Sequence, residues 1–116
     1  MERTLALVLA GWLIVAGCSK PDITPERGRA LYLAYGCAAC HGDEGDGNGP
    51  GAAGAMFKPR DLTNFATYAG GTSQEQISMA IKNGMKATGM PAYGSLPDDE
   101  LQSMATWIRS IAKEKK

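Results

Sequence analysis

Cys37, Ala38, Ala39, Cys40 and His41 form a Cys-x-x-Cys-His run. Thiols three residues apart can each form a thioether with one vinyl group of a haem. A histidine directly after the second thiol then lies under the iron as an axial ligand. The sequence holds three cysteines, and this run uses two of them. Two other chemistries begin with the same residues. A structural zinc normally takes four ligands, commonly with a second Cys or His pair, but only Cys18 lies outside the motif and His41 is the sole histidine. A redox dithiol of the thioredoxin kind belongs in a βαβ context, and no alternating strand pattern is present. Covalent haem, attached through Cys37 and Cys40 with His41 as an iron ligand, is the reading that these residues favour.

With a single histidine, ligation by two imidazoles is not available within one chain. The sixth position falls to a methionine, another weak donor, water or nothing. Of six methionines, Met1 leaves with the N-terminal segment, and Met79 and Met104 fall in expected helices as core filler. Met56, Met85 and Met90 remain in loops. Met90 is the first candidate, because Pro91 disfavours helix at the residue before it and holds Gly89-Met90-Pro91 extended. Met85, after Gly84, is the runner-up. For both, the plain alternative is apolar cover of the haem.

The elements that must position these groups are helical. Thr24 is an expected N-cap with Pro25 at the first helical position, and the helix should run to about Tyr35 and stop at Gly36. That delivers the chain straight into the cysteine motif. Gly42 to Gly54 holds six glycines and no large apolar residue, so it should be a close-fitting loop around the haem edge. Asp61 to Tyr68 is expected to add a short helix. Ser73 and Gln76 form a capping box, with Asn83-Gly84 as the stop and Ile77, Ala80 and Ile81 as the inward face. Leu101, Met104, Ala105, Ile108, Ile111 and Ala112 recur at helical spacing and define the clearest amphipathic stripe. Asp98, Asp99 and Glu100 suit its N-terminal end, and Lys113, Lys115 and Lys116 its C-terminal end. The expected class is all-α.

The N-terminus reads as a separate device. Arg3 precedes an apolar run of 11 residues, Leu5 to Val15, which is too short to span a bilayer core. Val15-Ala16-Gly17-Cys18 resembles a bacterial lipoprotein box, which implies cleavage before Cys18 and lipidation of its thiol; two or more acyl chains anchor stably. The expected divisions are a signal segment at 1–17, a lipidated tether at 18–24 and one domain at 25–116. Without residues 1–17 the chain has 99 residues, with eleven basic and eleven acidic. That neutral balance argues against nucleic acid. So short a chain buries a limited core of its own, and a covalent haem would add apolar surface to fold around.

These residues together resemble a small class I cytochrome c. The resemblance runs from about Pro25 to Ala112 and includes Gly28 and Tyr32 on the first helix, Trp107 on the last, and the run Leu96 to Leu101. It implies about four helices wrapped around one haem c, with Gly28 and Tyr32 packed against Trp107. It further implies that Gly89-Met90-Pro91 supplies the distal ligand and that Pro50 offers its carbonyl to the free nitrogen of His41. Lys58 to Leu62 is similar to cytochrome c domains attached to respiratory oxidases and dehydrogenases.

A six-coordinate iron with Met ligation would change charge by one electron at a high potential. The function expected is therefore a membrane-anchored electron carrier between redox protein donors and acceptors, exported to the periplasmic face of a bacterial membrane. A haem c subunit of a larger oxidoreductase is the alternative. A haem enzyme or gas-binding protein would need a vacant distal site. Lys58, Arg60, Lys82 and Lys86 could form a basic rim for an acidic partner, although Asp43, Glu44 and Asp46 follow the motif closely.

Overall fold

The computed structural model describes residues 20–114, with Gly11 and Gly17 besides. Cys18 and the remainder of the expected signal segment lie outside the described residues. Four α-helices follow in order: α1 (Pro25–Ala34), α2 (Ala38–His41), α3 (Gln74–Asn83) and α4 (Asp98–Ile111). Three single 3-10 turns, Ala52–Gly54, Phe65–Thr67 and Lys86–Thr88, sit in the connections. Among the described residues β-pairing is confined to the isolated bridges Asn64–Lys113 and Met85–Met90. The all-α expectation holds.

Local chemistry explains the helix bounds. Thr24 Oγ1 accepts from the Arg27 amide at 3.2 Å, and Pro25 opens α1. The helix closes at Tyr35, and Gly36 turns the chain in the left-handed region at φ +77°. For α3 both halves of the capping box form: Ser73 Oγ accepts from the Gln76 amide at 3.1 Å, and Gln76 Oε1 accepts from the Ser73 amide at 3.2 Å. The three carboxylates in the first turn of α4 suit its N-terminal dipole. Between Asp61 and Tyr68 only the Phe65–Thr67 turn is helical. Asp61 and Asn64 each draw a backbone amide two residues on, Thr63 at 2.9 Å and Ala66 at 3.0 Å, and these local bonds compete with a regular helix.

The core is the meeting of α1, α3 and α4. Tyr32, Ile77, Ile81, Leu101, Met104, Ala105, Trp107 and Ile108 form one buried cluster. Gly28 lets α1 and α4 touch backbone to backbone, since a Cβ there would lie 1.9 Å from the Ser103 carbonyl oxygen. Tyr32 packs its ring on Trp107 with centroids 4.5 Å apart and planes at 47°, and its hydroxyl donates to the Gly42 carbonyl at 2.6 Å. One buried side chain therefore ties α1 to α4 and to the end of the cysteine motif. Met104 is fully buried, as expected of core filler, but Met79 is 44% exposed. It sits beside Ser78, whose side is the one turned to α4 through a 3.5 Å bond to the Leu101 carbonyl.

Candidate haem site

The packed helices leave a cavity of about 590 Å³ open beside α2, within the ~300–1,000 Å³ range of cofactor sites. Cys37, Cys40 and His41 line one part of it, and Met85, Met90 and Tyr93 another. Ile77, Ile81, Met104 and Ile108 turn core side chains to its floor. Ala80, placed on the inward face of α3, is only half-buried because it too borders this cavity.

The cysteine motif is one turn of helix, and its carbonyls need donors. Gly42 donates to Ala38 at 2.9 Å, Gly51 to Ala39 at 2.6 Å, Gly49 to Cys40 at 3.1 Å and Gly47 to His41 at 2.8 Å. The glycine-rich loop is thus a strap that satisfies the end of α2 amide by amide. Close approach requires glycine: a Cβ at Gly49 would stand 2.4 Å from both the Ala38 and Ala39 oxygens. The loop fits closely, as its composition suggested, yet against the backbone of the motif rather than along the cavity. The segment that does reach the cavity is Phe57 to Leu62.

That segment corrects one expectation. His41 Nδ1 lies 3.0 Å from the carbonyl oxygen of Arg60. Pro50 is exposed on the outside of the strap and is not the acceptor. The glycine loop spends its turns on the carbonyls of α2, so the chain returns to the imidazole only after Pro59. A carbonyl can only accept, so Nδ1 carries the proton and Nε2 keeps its lone pair for a metal. Burial lowers the His41 pKa, against the bond to Arg60, which raises it. The neutral ring is the form that binds iron. Such a bond on the far nitrogen fixes the ring and tunes its basicity.

Cys37 is half-buried and Cys40 exposed, and neither is in a disulfide. Burial pushes the Cys37 thiol up. Among the described residues no three His, Cys, Asp or Glu side chains gather to hold a metal ion. The donor set does fit a haem: two thiols, one neutral imidazole and two thioethers around one apolar cavity.

Met85 and Met90 line the same cavity as Cys37, Cys40 and His41. They are bridged, Met85 amide to Met90 carbonyl at 3.0 Å and Met90 amide to Met85 carbonyl at 3.2 Å. Met56 is 89% exposed and drops out as a donor. Lys58 and Arg60 border the cavity, whereas Lys82 and Lys86 are exposed residues outside its lining. Of the acidic residues after the motif, Asp46 accepts from the Asn48 amide at 2.9 Å and Glu44 lies 3.6 Å from Arg29. No side-chain pattern marks the Arg60 carbonyl as a site group; a histidine ligand needing an acceptor, with a proline-stiffened return segment nearby, is the available clue.

A cytochrome c family model matches residues 25–112. The chain belongs to the cytochrome c family, and in this family haem c is covalently attached, here with Cys37 and Cys40 at the required spacing. Among its relatives is the fructose dehydrogenase cytochrome subunit of Gluconobacter japonicus, 31% identical over 95% of this chain and 27% of the relative. The lupanine 17-hydroxylase [cytochrome c] of a Pseudomonas species is 27% identical over 91% of this chain and 15% of its own length. The chain therefore spans about a quarter or less of the curated relatives it matches. A chain of the Kuenenia stuttgartiensis reducing HAO-like protein complex superposes with TM-score 0.72 at 29% identity, covering 82% of this chain and 47% of that one.

Proposed function

We propose that this chain is a mono-haem electron carrier in which His41 and Met90 are the axial ligands. The observation that carries the reading is the bond from His41 Nδ1 to the Arg60 carbonyl, which leaves Nε2 as a metal donor in a cavity that Met90 also lines. The haem supplies one-electron chemistry. The protein's own residues hold it: Cys37 and Cys40 by covalent attachment, His41 in a fixed tautomer, Met90 from a loop stiffened by Pro91. A distal side filled by a thioether has no place for a peroxide or gas, so the chain itself carries no catalysis.

Cys18 extends the proposal to location. Lipidation of that residue after export would hold the domain at the periplasmic face of a bacterial membrane, near its redox donors and acceptors, respiratory oxidases or dehydrogenases among them. The relatives support a second form of the same relay. One is by name a cytochrome subunit of a dehydrogenase, and the structural neighbour belongs to a protein complex, which fits a haem c unit that serves a larger oxidoreductase.

Potentiometric titration of the purified holoprotein tests the carrier reading. A single reversible one-electron wave, with no carbon monoxide uptake by the reduced form, is the expected result. High-spin ferric haem that binds carbon monoxide on reduction would instead indicate a gas-binding or catalytic protein. Co-purification under mild detergent separates the free carrier from the bound subunit.

A further inference from the structure

Two thioethers line the cavity, and the backbone places them as a pair. Met85 and Met90 exchange both main-chain hydrogen bonds, at 3.0 and 3.2 Å. Directly opposed residues in such an antiparallel pair put their side chains on the same face, with Cα atoms about 5.5 Å apart. Both residues are half-buried and both line the cavity that His41 lines. Each is anchored from a different side. Met85 follows Gly84, the C-cap of α3, and Met90 precedes Pro91. The four residues between them close a tight loop through the Lys86–Thr88 turn and Gly89, at φ +82°. Gly84 packs under this loop, where a Cβ would stand 2.7 Å from the Ala92 nitrogen and 2.8 Å from the Met90 oxygen.

We infer that Met85 is a second, reserve axial ligand of the haem iron, able to take the sixth position when the Met90 thioether leaves it. The inference rests on the reading of Met90 as the resident ligand. A methionine side chain has three rotatable bonds and a soft sulfur, so exchange between paired thioethers asks for side-chain rotation while the main-chain bridge persists. The iron would then keep a sulfur ligand, and its reactivity toward external ligands would stay suppressed. Met85 also shields the cavity as an apolar group; what sets the ligand role apart is a spectroscopic signature that a purely packing role cannot produce.

The test compares holoprotein variants Met85→Leu, Met90→Leu and the double variant, each close in volume to the original and lacking a sulfur donor. Far-UV circular dichroism and covalent haem content establish that each has folded. The readouts are the ferric iron–thioether charge-transfer band, the spin state and carbon monoxide binding. The inference predicts that Met85→Leu keeps the parental band, that Met90→Leu keeps a displaced thioether band and low-spin iron, and that the double variant loses the band and binds carbon monoxide. Loss of the band in Met90→Leu as complete as in the double variant overturns the reserve role while leaving Met90 as ligand. A Met85→Leu variant that loses the band while Met90→Leu keeps it unshifted overturns the reading of Met90, and the inference with it. A parental holoprotein without any thioether band overturns both. Should Met90→Leu fail to fold, imidazole displacement in Met85→Leu against the parent decides: a reserve thioether makes the parent resist displacement more, and equal susceptibility refutes it.

Discussion

Substituting Gly28 by alanine tests the packing that positions the haem motif. A Cβ at this position would lie 1.9 Å from the Ser103 oxygen, 2.6 Å from the Ser103 carbonyl carbon and 2.8 Å from Trp107 Cβ. Ordinary contacts are ~3.5–4.0 Å, so α1 and α4 must separate locally by roughly 1.5 Å or more. The atoms in the way are main chain, which cannot rotate aside. A gap of about 0.5–1 Å already forfeits a quarter to a half of a dispersion contact, so the Tyr32–Trp107 pair, now at 4.5 Å, is weakened along with the clash. Overpacking of this kind costs about 3 kcal/mol. The helix propensity of alanine over glycine offsets about 1 kcal/mol. A net loss of about 2 kcal/mol lowers Tm by roughly 8–16 °C for a domain of this size. Thermal unfolding of the holoprotein, followed by circular dichroism at fixed pH, gives the answer. A Tm equal to or above that of the parent would refute the close crossing of α1 and α4.

Other outcomes follow from single groups. Tyr32→Phe removes the buried hydroxyl that donates to Gly42 and should cost about 1–2 kcal/mol in denaturant unfolding; an unchanged midpoint would contradict that tie. Tyr68 is pushed up to about 12, chiefly by burial, with Asp61 adding to the rise and Arg60 opposing it. Its folded pKa lies above its unfolded value near 10, so its contribution to stability is intact below pH ~10 and is lost as pH rises through ~12. Tyr68→Phe should flatten the decline of stability across that alkaline window, measured by urea unfolding at stepped pH. Cys18→Ser should move the protein from the membrane to the soluble fraction of an expressing bacterium, with haem content retained; unchanged membrane association would refute the lipid anchor.

Much of the architecture was legible because its signals are local. Thr24-Pro25, the Ser73/Gln76 box and the stripe from Leu101 to Ile108 each state a helix in terms of capping or periodicity, and all three helices form. The Gly28–Tyr32–Trp107 packing was legible through family resemblance, since nothing in its spacing alone pairs the first helix with the last. The acceptor for His41 was not legible. It is a backbone oxygen, which every residue possesses, and only the path of the long loop after the motif decides that Arg60 rather than Pro50 presents it. Met79 misled because a methionine in an amphipathic helix need not lie on its inner face. The two thioethers were legible as candidates from their loop positions, but their pairing depends on two main-chain bonds that no side-chain pattern encodes.

The central claim is one haem held covalently by Cys37 and Cys40 and ligated by His41 and Met90. The direct measurement is an absorption spectrum of the purified, export-matured protein, oxidised and reduced, after acid–acetone extraction. The account predicts that the haem stays with the protein, with a sharp reduced α-band and a ferric iron–thioether band. A colourless protein after extraction, from a host competent in haem attachment, would contradict it.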